Sequence, residues 1–266
     1  MQGEVGAMAA LSANLGFLWP DLPLLERIAA AARAGFPAIE LHWPYDVPAA
    51  EVRVACERHG LALLGLNTPV GEAASGEFGL AALPGRESDF AAGMQMAIDY
   101  AAAAGAGAIH VMAGVTTGMD QRACRKALIS NLARFAPEAA SQGLVLLLEA
   151  INPRDKPGYF YARQDEAAAI IADVGAPNVR LMFDVYHCGV AEGDITRKLE
   201  RFLPLIGHIQ IAAVPSRAEP DEGEVDYRHI FKTLARLGWE KPIGCEYRPR
   251  AGTDAGLGWR EALGVA

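Results

Sequence analysis

The chain has 266 residues, with 24 Lys and Arg against 32 Asp and Glu, a formal charge of −8 and a pI near 5.3. That length suits one (β/α)₈ barrel of ~250 residues and buries a large core without metal or disulfide staples. The acidic balance argues against a nucleic-acid or acidic-membrane partner, and no apolar run reaches the ~20 residues of a membrane span.

Cys56, Cys124, Cys188 and Cys245 are far apart and form no CxxC pair, which predicts reduced thiols in the cytoplasm. The start, MQGEVGAMAALSANLGFLW, lacks the basic and apolar regions of a signal peptide, and 1–7 read as a loose leader. Leu11–Trp19 is the first strand and its exit loop. Leu24–Ala34 has helical spacing, with Gly35 at its end. Ala38–Trp43 is strand two, Pro48–His59 a helix and Leu61–Asn67 strand three. A long Gly-rich loop, Thr68–Arg86, has the length of a functional lid. The helix Glu87–Ala104 leads to strand four, Ala108–Ala113. The long helix Asp120–Ser141 holds Pro137 near its end. Strand five lies in Gly143–Asn152, and the helix Arg163–Val174 leads to strand six, Val179–Asp184. A shorter helix over Ile195–Leu203 precedes strand seven, Ile206–Gln210. The polar loop Ala212–Val225 and the helix Asp226–Leu237 come before strand eight, Ile243–Glu246, and a short tail. Eight strands alternating with helices predict a closed parallel (β/α)₈ TIM barrel over 1–266 as a single domain. An open doubly wound sheet is disfavoured, since no GxGxxG follows the first strand.

Strand five, GLVLLLEAIN, is an apolar run that ends in a carboxylate, Glu149. Such a group is costly to bury unless a cation sits beside it. Strands six, seven and eight share the layout and end in Asp184, Gln210 and Glu246. Barrel active sites form at the C-terminal strand ends. Three carboxylates crowded there raise one another's pKa values, and a divalent cation removes the conflict. Hard oxygen donors without thiolates favour Mg²⁺ or Mn²⁺. Each residue taken singly could instead be a helix cap or a salt-bridge partner; four in one register point to a metal site.

The segments LNTPVG (66–71), GLAALPGRE (79–87), HVMAG (110–114), EAINPRDKPGYF (149–160), FDVYH (183–187), HIQIA (208–212), EPDEGEVDY (219–227) and GCEYRP (244–249) span nearly the whole chain. In them the sequence resembles the hydroxypyruvate isomerase family of the xylose-isomerase-like barrel superfamily. The resemblance implies that Glu149, Asp184, Gln210 and Glu246 bind the metal, and that Glu149 and Glu246 are also the catalytic pair. Related sugar epimerases carry His where Gln210 stands. The chain departs from the family pattern at Phe78, Gly189, Ala213 and Ala218, near the expected mouth. Ala213 and Ala218, which replace polar family residues, predict weak activity on hydroxypyruvate and a preference for a larger or less polar substrate.

Other residues extend the expected site. His187, three residues past Asp184, could donate to a developing enediolate oxygen. Arg217 could pair with a substrate carboxylate through its planar fork. Asn67 and His42, at the ends of strands three and two, are expected in the pocket wall. His208 reads as a core histidine, one layer below Gln210. The expected activity is aldose–ketose isomerisation of hydroxypyruvate to tartronate semialdehyde, one glutamate taking a proton and the other returning one. A 2-oxo-tetronate or other keto-sugar isomerase or epimerase is the alternative on the same site. A metal nuclease of the endonuclease IV kind would need more His ligands and a basic groove, and a non-catalytic barrel would follow if the four ends did not meet. The partner expected is a small molecule, with neither nucleic acid nor membrane; a homo-oligomer is left open.

Overall fold

Short runs of Leu, Ile, Val and Ala form eight strands that pair in parallel and close in sequence order. They are β1 (Leu11–Asn14), β2 (Ala38–Glu40), β3 (Ala62–Asn67), β4 (Ala108–His110), β5 (Val145–Glu149), β6 (Val179–Asp184), β7 (Ile206–Ile211) and β8 (Ile243–Cys245). The computed structural model describes residues 10–265, so the leader expected over 1–7 lies outside the described residues. The helices are α1 (Leu24–Arg33), α2 (Ala49–His59), α3 (Glu87–Ala104), α4 (Gln121–Ser141), α5 (Gln164–Val174), α6 (Val185–Ala191), α7 (Ile195–Phe202), α8 (Tyr227–Arg236), α9 (Thr253–Gly256) and α10 (Trp259–Leu263). No helix among them is long and apolar enough to cross a membrane.

The main core lies between the strands and the helices, around residues such as Leu66, Ile109, Leu146, Phe183 and Ile209. Inside the barrel, Ala108, Leu147 and Met182 form a small apolar layer against Val145. The next residues up the same strand faces are polar. Glu149 follows Leu147, Asp184 follows Met182 and His110 follows Ala108, because side chains on one face recur every second residue.

Register fixes how the strand ends meet. Glu149 pairs with Met182, which puts Asp184 two residues further up. Asp184 pairs with Gln210. Gln210 pairs with Gly244, so Glu246 is again two further up. A barrel of shear 8 needs about one residue of offset per strand to stay level. These offsets therefore keep the four side chains at one end of the barrel.

Local sequence explains the departures from expectation. Helix α6 follows β6 directly, although VYHCGVA has few strong helix formers. Asp184 starts it, accepting a hydrogen bond from Tyr186 N at 2.7 Å. Gly189 sits in α6 for packing, since a Cβ there would lie 2.8 Å from Val214. Helix α4 runs past Pro137 to Ser141. The tail forms α9 and α10, and Trp259 of α10 is buried, its indole N–H donating to Tyr247 at 3.1 Å.

Candidate active site

Six of the eight strands end on a polar side chain, Asn14, Glu40, Asn67, His110, Glu149 and Asp184, and Gln210, expected to end β7, is its penultimate residue, before Ile211. His42 and Glu246 stand just past the ends of β2 and β8. The structure brings Glu149, Asp184, Glu246 and His187 together, each buried and each offering an atom within 4.8 Å of the others. Gln210 is buried beside them. Its Nε2 donates to Glu40 Oε2 at 2.8 Å, which orients its Oε1 away from that carboxylate.

The hydrogen-bond pattern tests whether a cation fits. Glu149 Oε1, Asp184 Oδ2 and Gln210 Oε1 are buried and have no partner. Buried acceptors are rarely left so, and an ion is one standard reason. Asp184 and Gln210 each have one side-chain oxygen free while their other polar atom is hydrogen-bonded. Asp184 Oδ1 caps α6, and Glu149 Oε2 lies 3.6 Å from His110 Nδ1. The donor set suits a divalent metal.

Glu246 is bound differently. Its Oε1 accepts from Asn14 Nδ2 at 3.1 Å and lies 2.9 Å from His42 Nε2. Its Oε2 accepts from Arg217 Nη2 at 2.8 Å. The two glutamates therefore differ electrostatically. Burial, then repulsion from Glu246 and Asp184, pushes Glu149 well above the carboxylate range. Asp184 is pushed up to about 7 by burial and by Glu246. Burial also works against ionising Glu246, but Arg217 and His42 outweigh it and hold this group down at about 2.

Arg217 does not reach freely into the mouth. Its backbone is left-handed, with φ 57°, and its guanidinium also donates to Asp155 Oδ2 at 3.0 Å. It lies 4.8 Å from the Phe17 ring centre and 5.0 Å from that of Tyr186. His187 Nδ1 accepts from the backbone N–H of Asn152 at 3.2 Å. A backbone amide can only donate, so the ring proton sits on Nε2. That Nε2 lies 3.6 Å from Glu149 Oε1 and 3.7 Å from Asp184 Oδ2. Burial lowers His187 to about 3 and His110 to about 4, so both rings are neutral.

Glu149, Glu246, His187, His110 and Arg217 line a cavity of about 340 Å³ with Asn67, His42, Trp43, Phe78 and Lys156 in its wall. Of the four departures from the family pattern, Phe78 lines it. Ala213 and Ala218 are buried and joined by a 2.9 Å backbone hydrogen bond. A second cavity of about 240 Å³ lies along the barrel axis, against Leu147 and Met182. Glu40 stands between the two levels, accepting from Ser12 and Gln210, with His208 Nε2 3.0 Å away.

Sequence reasoning passed over Asn14, Glu40, His110, Asp155 and Lys156. Position at a strand end was the available signal for Asn14 and His110. Glu40 precedes His42 by two residues, as His208 precedes Gln210, which puts both of that pair in the lower layer. No short-range pattern marks Asp155 or Lys156.

Comparison with known proteins agrees with this fold. The profile of the family described as xylose isomerase-like TIM barrel matches residues 28–265. The chain is 49% identical over 253 residues to the 2-oxo-tetronate isomerase of Cupriavidus necator, covering 95% of this chain and 97% of that one. It is 36% identical to the hydroxypyruvate isomerase of Escherichia coli K12, covering 96% and 99%. Among solved structures, one titled AP endonuclease, family 2 from Brucella melitensis superposes with TM-score 0.93 at 39% identity, covering 96% and 99%.

Proposed function

Because the chain belongs to the xylose isomerase-like TIM barrel family, we propose that it is a metal-dependent isomerase of short 2-oxo-3-hydroxy acids. Relatives named for 2-oxo-tetronate and for hydroxypyruvate fall on either side of one chemistry. Both acids carry a carboxylate on a C2 carbonyl and a hydroxyl on C3, and the former has one more carbon. The observation that carries the reading is the group of three unpartnered oxygens, on Glu149, Asp184 and Gln210, beside Glu246. The four-carbon acid is favoured by the 49% identity to a relative named for it.

When bound, a cation held by Glu149, Asp184, Gln210 and Glu246 supplies Lewis acidity toward the carbonyl and hydroxyl oxygens. Oxygen donors favour Mg²⁺ or Mn²⁺. The protein's own groups carry the proton. One of Glu149 and Glu246 takes the proton from C3, and the C–H electron pair forms the C2–C3 double bond of an enediolate. The other delivers a proton to C2 while the C3 hydroxyl proton passes to the C2 oxygen and the C3 oxygen becomes the new carbonyl. A positioned acid–base pair contributes ~10²–10⁴-fold. His187 is proposed as a substrate contact: with Nδ1 occupied by Asn152, its Nε2–H can donate to the oxygen that gains charge. Arg217, Asn14 and His42 hold Glu246 in place and ionised.

The net charge of −8 supports a small molecule over a nucleic-acid backbone. Four free, buried cysteines support a reducing, cytoplasmic setting. The test is a panel of hydroxypyruvate, 2-oxo-tetronate, neutral ketoses and abasic-site DNA, each with Mg²⁺ and Mn²⁺. Isomerisation of the acids is expected. Turnover of neutral ketoses alone, or cleavage of the DNA, contradicts the proposal.

A further inference from the structure

Three cations line the cavity, Lys156, Arg217 and Arg248. Arg217 is already neutralised, with one nitrogen on Glu246 at 2.8 Å and another on Asp155 at 3.0 Å. Arg248 is exposed, 5.7 Å from the Phe17 ring centre on the same side of the mouth. Lys156 is half-buried, and its ammonium lies 3.9 Å from the centre of the Phe78 ring. Among the described residues no carboxylate pairs with it. An aromatic face positions an ammonium without neutralising it, and leaves its N–H donors for an anion.

Both members of this pair are anchored. Lys156 lies in a turn where its N–H donates to Asn152 O at 3.1 Å, and Asn152 also donates to His187. Phe78 packs edge-on against Trp43 and Tyr159 at 6.3 and 6.2 Å. The next residue, Gly79, bridges to Ala113 at the exit of β4. The loop carrying Phe78 leaves β3 and the loop carrying Lys156 leaves β5, so the pair sits over β4. Arg217 leaves β7 and Phe17 leaves β1, so that stack sits over β8. In an eight-stranded ring β4 and β8 are diametrically opposed.

We infer that Lys156 is the specificity residue that receives the carboxylate of the substrate, across the mouth from Glu246. The inference rests on the isomerase reading above and deepens it. An acid so held presents C2, which bears the carboxylate, toward the β4–β5 side and Glu149, and C3 toward Glu246. Neutral ketoses of the same length gain nothing from Lys156.

The test uses metal-loaded protein and two readouts. The first is the ratio of kcat/KM for 2-oxo-tetronate to that for the neutral four-carbon ketose erythrulose. The second is calorimetric binding of pyruvate, a 2-oxo acid that lacks the C3 hydroxyl. In Lys156→Gln the ratio is expected to fall ~10–100-fold, mainly through KM, with pyruvate affinity falling in step, as for loss of a charged hydrogen bond. Lys156→Arg should restore most of both. A ratio that moves less than about threefold, or that falls further in Arg248→Gln than in Lys156→Gln, overturns the assignment. If wild-type protein isomerises the acid and the ratio ignores Lys156, the inference fails and the isomerase reading stands. If no acid is isomerised but pyruvate binding depends on Lys156, the isomerase reading fails, and with it the substrate role, while Lys156 remains the residue that binds a 2-oxo acid's carboxylate. Neither turnover nor pyruvate binding removes both.

Discussion

Glu246 receives three donors, and Glu149 keeps one oxygen free. Two substitutions separate holding the cation from moving the proton. Asp184→Asn removes a charged donor, and metal affinity should weaken ~10–100-fold or more, as for groups supporting a metal site. Glu246→Gln keeps an oxygen that can coordinate but cannot take a proton, so turnover should fall ~10²–10⁴-fold with a smaller change in metal affinity. Near wild-type turnover in Glu246→Gln would remove its acid–base role. Protonation gives a further check. Asp184 is raised to about 7 in the metal-free protein and Glu149 is raised as well. Raised carboxylates hold protons below their pKa, and a cation must displace them. Metal affinity should therefore fall as pH drops below 7, with proton release on binding near pH 6. Titration calorimetry in two buffers of different ionisation enthalpy measures that release, and its absence counts against a buried carboxylate site.

At the scale of the element, the strand ends were legible because an apolar run closed by an oxygen side chain is a local pattern. That pattern located Glu149, Asp184, Gln210 and Glu246 in the sequence, and the parallel register shows how they meet. Two kinds of feature were not legible. Helix α6 depends on the Asp184 cap and on contact with Val214, not on its own propensity. The Arg217–Glu246 and Lys156–Phe78 contacts join loops far apart in sequence, and no local signal specifies such partners. Gly79 and Gly244 make the elements' contribution testable. A Cβ on Gly244 would come within 2.4 Å of Glu40 Oε1 and 2.8 Å of Gln210 Cγ. The Glu40 network has no room to give way, so Gly244→Ala should cost about 1–3 kcal/mol and weaken metal binding by shifting Gln210. Thermal unfolding reads the first effect, as ~2–4 °C per kcal/mol for a chain of this size. A Cβ on Gly79, at φ 110°, would lie 2.4 Å from the Met112 carbonyl. Gly79→Ala should therefore displace Phe78 and raise KM for the acids as well as lowering Tm. An unchanged KM would show that the loop does not shape the cavity.

For the whole molecule, the barrel brings residues from all eight strands or their exits to one mouth, and no single segment holds the chemistry. Removing the metal should then act globally on function. Chelation should abolish isomerisation, and Mn²⁺ or Mg²⁺ should restore it; full activity in metal-free protein would contradict the ligand set. The central claim is that Glu149 and Glu246 pass a proton through an enediolate. The alternative for such isomerisations is direct hydride transfer between the two carbons, with no solvent-exchangeable hydrogen. The measurement that separates them is proton NMR of turnover in D₂O by metal-loaded protein, with 2-oxo-tetronate or hydroxypyruvate. A carboxylic proton can exchange with solvent during the lifetime of the intermediate, so the product should carry deuterium on the carbon that gains hydrogen. Product free of deuterium after many turnovers would contradict the roles given to Glu149 and Glu246.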